Sequence, residues 1–312
     1  MDVAIEFAAD IVDRFEEFLT ENGISIPRHK QSNADMLPLW QILKQTKDGE
    51  GLRQTDNYNL FSAAVAVHDF ASKILTIKDM PEFSNILPHL RMLSSGAVYL
   101  TSDPPASSDV YNKLIEVYWA SLCLGKGINV SLDHPVHSTG VNPDVITLDS
   151  KGDAVHAYAF KTIRSKYTQS ILDHIQRGVE QIEASSAGTG IVALHLTPRF
   201  QISSLFPEGY LFDRWECGVA YVAGAVRAMV TQVVCENGQS AIDNIFIKKK
   251  AVGAVLCLAF IPVVAKHPET GLNTFMPLKI CVIVKLSSSV QLPMSLMGEL
   301  YEINDAMQKF LG

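Results

Sequence analysis

Pro143-Asp144-Val145-Ile146-Thr147-Leu148 and, after a turn, Val155-His156-Ala157-Tyr158-Ala159-Phe160-Lys161 form the stretch on which the reading of this chain turns. Each is a short apolar run that carries one polar side chain to one end. Asp144 opens the first and Lys161 closes the second. β-Branched and aromatic residues at this density favour extended backbone. Ser150-Lys151-Gly152-Asp153 between them has the composition of a hairpin turn. A hairpin folds the start of the first run back beside the end of the second, so Asp144 comes to lie across from residues 159–161. Residues 159 and 161 share a face, because side chains along a strand alternate with a period of two.

Working outward, residues 109–124 have a helical period. Ser107, Ser108 or Asp109 can cap them, and Gly125 closes them. Residues 128–132 read as a strand, 134–142 as a polar loop and 155–163 as the second strand of the hairpin. Residues 168–184 form an amphipathic helix, and 191–196 a buried strand. The order helix, strand, strand, strand, helix, strand describes an α/β core with a mixed sheet. Beyond it, 212–235 is a long helix. Segments 245–248, 254–264 and 275–286 read as strands, the last two nearly continuous in apolar residues and therefore central. Residues 293–311 close the chain as a helix.

Upstream, residues 2–22, 37–44, 58–76 and 80–93 read as helices, with Pro88 a kink or break in the last. The Pro- and Ser-rich stretch 101–108 has no large apolar residue and suits a linker. It divides the chain into a mostly helical domain at 1–105 and an α/β domain at 106–312.

The chain has 312 residues, 47% of them hydrophobic and 19% charged, enough for a sizeable core and unlike a disordered sequence. A net charge of −7 argues against indiscriminate nucleic-acid binding but leaves room for a local cationic groove. The five cysteines include no C-x-x-C pair and read as free thiols in a reducing compartment. The acidic, amphipathic N-terminus is unlike a signal peptide. The longest apolar run, 251–265, is shorter than the ~20 residues that span a bilayer. A cytoplasmic protein without membrane contact is expected.

A carboxylate and a lysine presented together suit metal-dependent phosphodiester hydrolysis. The reaction needs a cation to neutralise developing charge and to make a nucleophile from water, and magnesium takes oxygen ligands while keeping several waters. Lys161 sits in an apolar run, so it needs a carboxylate partner or a wet cleft. Arg164, Lys166 and Arg177 could form a basic rim for phosphate contacts. His134 and His137 lack a third ligand and read as a polar loop. Lys248-Lys249-Lys250 reads as a solubilising hairpin tip.

The ordered elements, with Asp144 opening the second strand and Lys161 on the third, resemble the PD-(D/E)XK superfamily of restriction-endonuclease-like nucleases over residues 109–197. The resemblance implies a restriction-endonuclease-like mixed-sheet core and a Mg2+- or Mn2+-dependent endonuclease acting on nucleic acid, with DNA preferred. It implies that Asp144 binds metal and that Lys161 orients or deprotonates the attacking water. Glu116, on the preceding helix, corresponds to a further metal-linked acid, and Gln181, on the following helix, to a glutamine near the site. From composition alone Glu116 fits a solvated helix face equally well, and Gln181 reads as helix surface. Restriction, repair and antiviral defence are the roles such nucleases serve, and cutting both strands suggests a homodimer or larger assembly.

Ala159 departs from the pattern, since the family places a metal-binding Glu or Asp there. Three accounts are open: an alteration that abolishes turnover, a natural pseudo-nuclease that binds nucleic acid or protein without cutting, or an accidental alignment. The first is preferred, because Glu116, Asp144, Lys161 and Gln181 all remain. It treats Ala159 as a truncated ligand beside an empty notch, so that restoring an acid restores cleavage.

Overall fold

The computed structural model describes residues 9–24, 58–93, 109–133, 140–200, 211–267, 269–289 and 291–309. Four helices come first: α1 (Ala9–Glu21), α2 (Tyr58–Ile77), α3 (Leu87–Leu93) and α4 (Asp109–Gly125). Strands β1 (Asn129–Leu132), β2 (Val145–Leu148) and β3 (Ala154–Thr162) follow, then helix α5 (Thr168–Ala184) and strand β4 (Thr189–His195). The rest is β5 (Leu211–Phe212), α6 (Trp215–Asn237), α7 (Gln239–Phe246), β6 (Ala251–Lys266), β7 (Asn273–Lys285) and α8 (Met294–Gln308). The strands make one seven-stranded mixed sheet, ordered β1-β2-β3-β4-β6-β5, with β7 on the other edge of β6.

The hairpin at the centre of the sequence argument forms as its turn chemistry dictates. Asp149 Oδ1 accepts from the backbone N–H groups of Lys151 (2.8 Å) and Asp153 (2.9 Å). Gly152 takes the left-handed conformation at φ +87° that the turn needs. β2 then runs antiparallel to β3 with Val145 opposite Tyr158. α5 carries the chain back so that β4 pairs parallel to β3, Ala159 opposite Val192.

Alternation along β3 divides its side chains between two buried layers. Tyr158 and Phe160 face α4, with the Trp119 ring 5.3 Å and 5.8 Å from theirs. Ala157 and Ala159 face α5, in the layer that holds Ile171, Ile175 and Val192. Small residues let α5 approach closely. A Cβ on Gly178 would meet Val192 Cγ1 at 2.8 Å, and one on Gly190 would meet the Ala157 carbonyl at 2.5 Å. Ala159 is fully buried there, so its small side chain serves helix–sheet packing.

Apolar residues of α1, α2 and α3 join the α4-facing layer in one continuous cluster with Tyr158, Phe260 and Leu300. The proposed division at 105/106 lies outside the described residues, as do the helix at 37–44, the 101–108 linker and the loop histidines. α6 is the one described helix long and apolar enough to cross a bilayer by length and composition. Its Val222, Val226, Val230 and Val233 are buried, and it packs on α5, β6 and β7.

Several expectations need correction. Residues 245–248 are no strand: Asn244-Ile245-Phe246 end α7, and Lys248 sits in the left-handed region at φ 55°. Phe246 buries as the last residue of an amphipathic helix, a pattern four residues cannot distinguish from a strand. Lys248–Lys250 therefore link a helix to a strand. β6 is central, whereas β7 pairs with β6 alone among the described strands. α4 ends at Gly125 as expected, and the left-handed residue that follows is Gly127 at φ 73°, with Ile128 N–H donating to Cys123 O. The 80–93 segment is broken next to Pro88 as expected, into a 3-10 turn at Pro81–Asn85 and α3, where Pro88 falls in the first turn and its missing N–H costs nothing.

Candidate active site

At the end of the hairpin the two strands diverge, and the groups they leave unpaired are taken up by side chains. Asp144 N–H donates to Tyr158 O (3.1 Å), and Asp144 Oδ2 accepts from Phe160 N–H at 2.6 Å. That charge-assisted bond fixes the carboxylate beside the end of β3. Lys161 Nζ donates to Phe160 O at 3.0 Å and to Gln181 Oε1. Gln181 Nε2 donates in turn to Gly140 O (3.0 Å), so one amide ties α5, the lysine and the loop before β2 together. Glu116 enters from α4 on the other side of the sheet. Its Oε2 meets Lys113 Nζ, one helical turn away, at 2.8 Å.

Glu116, Asp144, Lys161 and Gln181 line one cavity of about 990 Å³, together with Lys113, Arg164 and Arg177. Two sequence-derived candidates lie elsewhere. Lys166 is exposed, its ammonium 5.8 Å above the Tyr167 ring centre. Ala159 is not among the residues that line the cavity; it lies fully buried in the apolar layer under α5. Glu116 is 2% exposed, which removes the reading of a solvated helix residue, and Gln181 is buried, not helix surface. Sequence reading missed Lys113, although its i, i+3 spacing to Glu116 was legible. It also missed His174, which lines the cavity and shares a helix face with Arg177 and Gln181 by their i, i+3, i+7 spacing.

The electrostatics follow from crowding charge into a partly dry place. Burial, then the Asp144 charge, holds the Glu116 carboxyl well above its ordinary range, against Lys113 and Lys161. Burial likewise raises Asp144, opposed by Lys161, Lys113 and the Phe160 N–H. Lys161 is lowered by burial, with Asp144 and Glu116 pulling the other way. Burial also works against the Lys113 ammonium, yet the Glu116 carboxylate overrides it and holds Lys113 above its usual value. Two neighbouring acids that resist ionisation are a place where a cation relieves strain.

Two carboxylates fit a hydrated Mg2+ or Mn2+, which keeps several waters and takes further oxygens from substrate phosphate. Among the described residues no group of three or more His, Cys, Asp or Glu converges, so such a site would be a two-acid one. Comparison of the chain with protein-family models, curated proteins and solved structures returns no match.

The placement of Ala159 predicts the fate of an acid there. Ala159→Glu puts a carboxylate into an apolar layer that α5 already closes, and it should destabilise the fold by about 2–4 kcal/mol. Urea denaturation checks this, and an unchanged midpoint with new metal-dependent cleavage would show the residue to be a missing ligand instead.

A pH dependence follows as well. Raised carboxyl pKa values mean that the folded protein holds these protons more tightly than the unfolded chain. Without metal, stability is therefore lost as pH rises from the ordinary carboxylate value through the folded ones. A bound cation reverses the trend. The increase in melting temperature on adding Mn2+ should grow with pH and vanish on acidification, at a pH above the usual carboxylate range near 4.

Proposed function

We propose that this chain is a metal-dependent endonuclease of restriction-endonuclease-like architecture, hydrolysing phosphodiester bonds in DNA. The observation that carries the reading is the convergence of Glu116, Asp144 and Lys161 on one cavity, from α4, the residue just before β2, and β3. The order α4-β1-β2-β3-α5-β4 supports the architecture. Glu116 and Asp144 would hold Mg2+ or Mn2+, which when bound neutralises charge on the phosphate and lowers the pKa of water. Gln181 holds the Lys161 ammonium in place, where it can orient the attacking water or donate to a phosphate oxygen. Arg164 and Arg177 bring further positive charge to the lining for neighbouring phosphates. With Ala159 packed in the core, Glu116 supplies the second carboxylate, and the chain as it stands is the cleaving form.

A second reading, a pseudo-nuclease that grips nucleic acid without cutting it, draws on the absence of a third converging acid among the described residues. One experiment separates the two. The full chain is incubated with plasmid, linear and single-stranded DNA and with RNA, in Mg2+, Mn2+ or EDTA. Metal-dependent products that EDTA abolishes support the enzyme. Retention of intact nucleic acid supports the binding module, and if neither cleavage nor retention is seen both readings fall.

A further inference from the structure

Val141 is an exposed apolar side chain in an unusual mount. It lines the mouth of the cavity, three residues before Asp144, with 58% of its surface open to water. Single exposed apolar residues are common on protein surfaces, but both neighbours of this one are tied down. Gly140, at φ 73°, gives its carbonyl to Gln181 Nε2 (3.0 Å), and Asn142 Nδ2 donates to Asp133 Oδ1 (3.3 Å). Pro143 then follows, buried and with its φ restricted by the ring. These bonds tie both neighbours of Val141, which itself stands exposed in the cavity lining. Met92 of α3 adds a second apolar, polarizable side chain to the same lining.

The charge pattern narrows what would sit there. The chain as a whole carries −7, so an extended duplex footprint of many phosphates is disfavoured. Positive charge at the cavity comes from Lys113, which Glu116 pairs at 2.8 Å, and from Lys161, Arg164 and Arg177, set against the acids Glu116, Asp144 and Glu180. That suits a short backbone segment of roughly three phosphates, with the exposed apolar tip offered to whatever the backbone carries. Stacked, paired bases present only their edges, whereas an unpaired base presents a whole apolar face.

We propose that Val141 is a base-contacting pin that makes this site select single-stranded DNA over intact duplex. The proposal rests on the nuclease reading of the cavity and names its substrate class. The base lies against Val141 while its phosphates meet Lys161, Arg164 and Arg177, and the scissile bond is presented to Glu116 and Asp144.

The test uses the full chain and a fluorescein-labelled oligothymidylate of about 12 nucleotides, within the range of a short single-strand site. A duplex of equal length serves as competitor. Anisotropy is read in Ca2+ and cleavage in Mn2+. The single strand should bind about tenfold tighter than the duplex, equivalent to about 1.4 kcal/mol. Val141→Asn should remove about fivefold of that preference with duplex affinity unchanged, while Val141→Leu keeps it. The logarithmic salt slope for the single strand should be roughly −2, from about three phosphates at 0.7 each. Equal binding of both forms, or a preference that Val141→Asn leaves untouched, overturns the pin. If duplex is still cut in a metal-dependent way, the nuclease reading survives that result. If neither form binds nor is cut, both ideas fall together.

Discussion

Replacing Asp144 by Asn is expected to lower metal-dependent cleavage about a thousandfold, roughly 4 kcal/mol of transition-state stabilisation. The substitution is chosen to spare the fold. An Asn side-chain oxygen can still accept the Phe160 N–H that Asp144 Oδ2 holds at 2.6 Å, and the volume is unchanged. What disappears is the charge, in a place where burial makes charge count most. Glu116→Gln should act in the same direction for the same reason. The pair should be far from additive, because two ligands of one ion fail as a unit. Circular dichroism on both variants separates loss of chemistry from loss of structure, and a variant that folds and still cuts at the parent rate would remove Asp144 from the mechanism.

The largest expected loss of stability lies in a buried charge cluster that joins α2, α4 and β7. Asp69, on α2, accepts from Lys279 Nζ of β7 (2.6 Å) and from Tyr118 OH of α4 (2.7 Å). Lys279 also donates to Met307 O at the end of α8 (2.7 Å), and Lys73 donates to Ala306 O nearby (2.7 Å). Asp69 and Lys279 are 4% and 6% exposed. Asp69→Ala leaves the lysine buried without its counter-ion and should cost about 3–5 kcal/mol. Burial lowers the pKa of Lys279, so it can shed its proton, which holds the loss at that level instead of a full charge-burial penalty. Lys279→Met added to Asp69→Ala should recover most of the loss, since no charge is then stranded. Chemical denaturation of the two variants decides this, and a single variant as stable as the parent would show that the ion pair carries little. The cluster joins α2 to β7 and α8, so its loss should loosen the N-terminal helices along with the C-terminal one.

Much of the core was legible, for reasons that can be named. The hairpin announced itself because β-branched runs and the Gly152 turn point to one register. Lys161 announced a site because an ammonium in an apolar strand demands partners, and the cavity with Asp144 and Glu116 supplies them. Other parts were hidden by the locality of sequence patterns. Glu116 reads like any helix glutamate until the sheet covers α4 and leaves it 2% exposed. Gln181 reads as helix surface because its partners, Lys161 and Gly140, are far away in the chain. That Ala159 is fully buried under α5 and outside the cavity lining was not legible, because the strand pattern cannot show how near α5 comes. The end of α7 was mistaken for a strand because four residues are too few to tell a period of two from one of 3.6. The Asp69–Lys279 pair joins residues 210 apart, which no local pattern encodes.

The central claim is that Glu116 and Asp144 act as one cation site beside Lys161. Titration of the full chain with Mn2+, followed by the loss of the free-ion electron paramagnetic resonance signal, tests it without requiring turnover. The account predicts one ion bound per chain, lost in Asp144→Asn and in Glu116→Gln alike, and retained in Lys166→Ala. Binding that survives both carboxylate substitutions, or no binding by the parent protein at a pH where both acids are ionised, would contradict it.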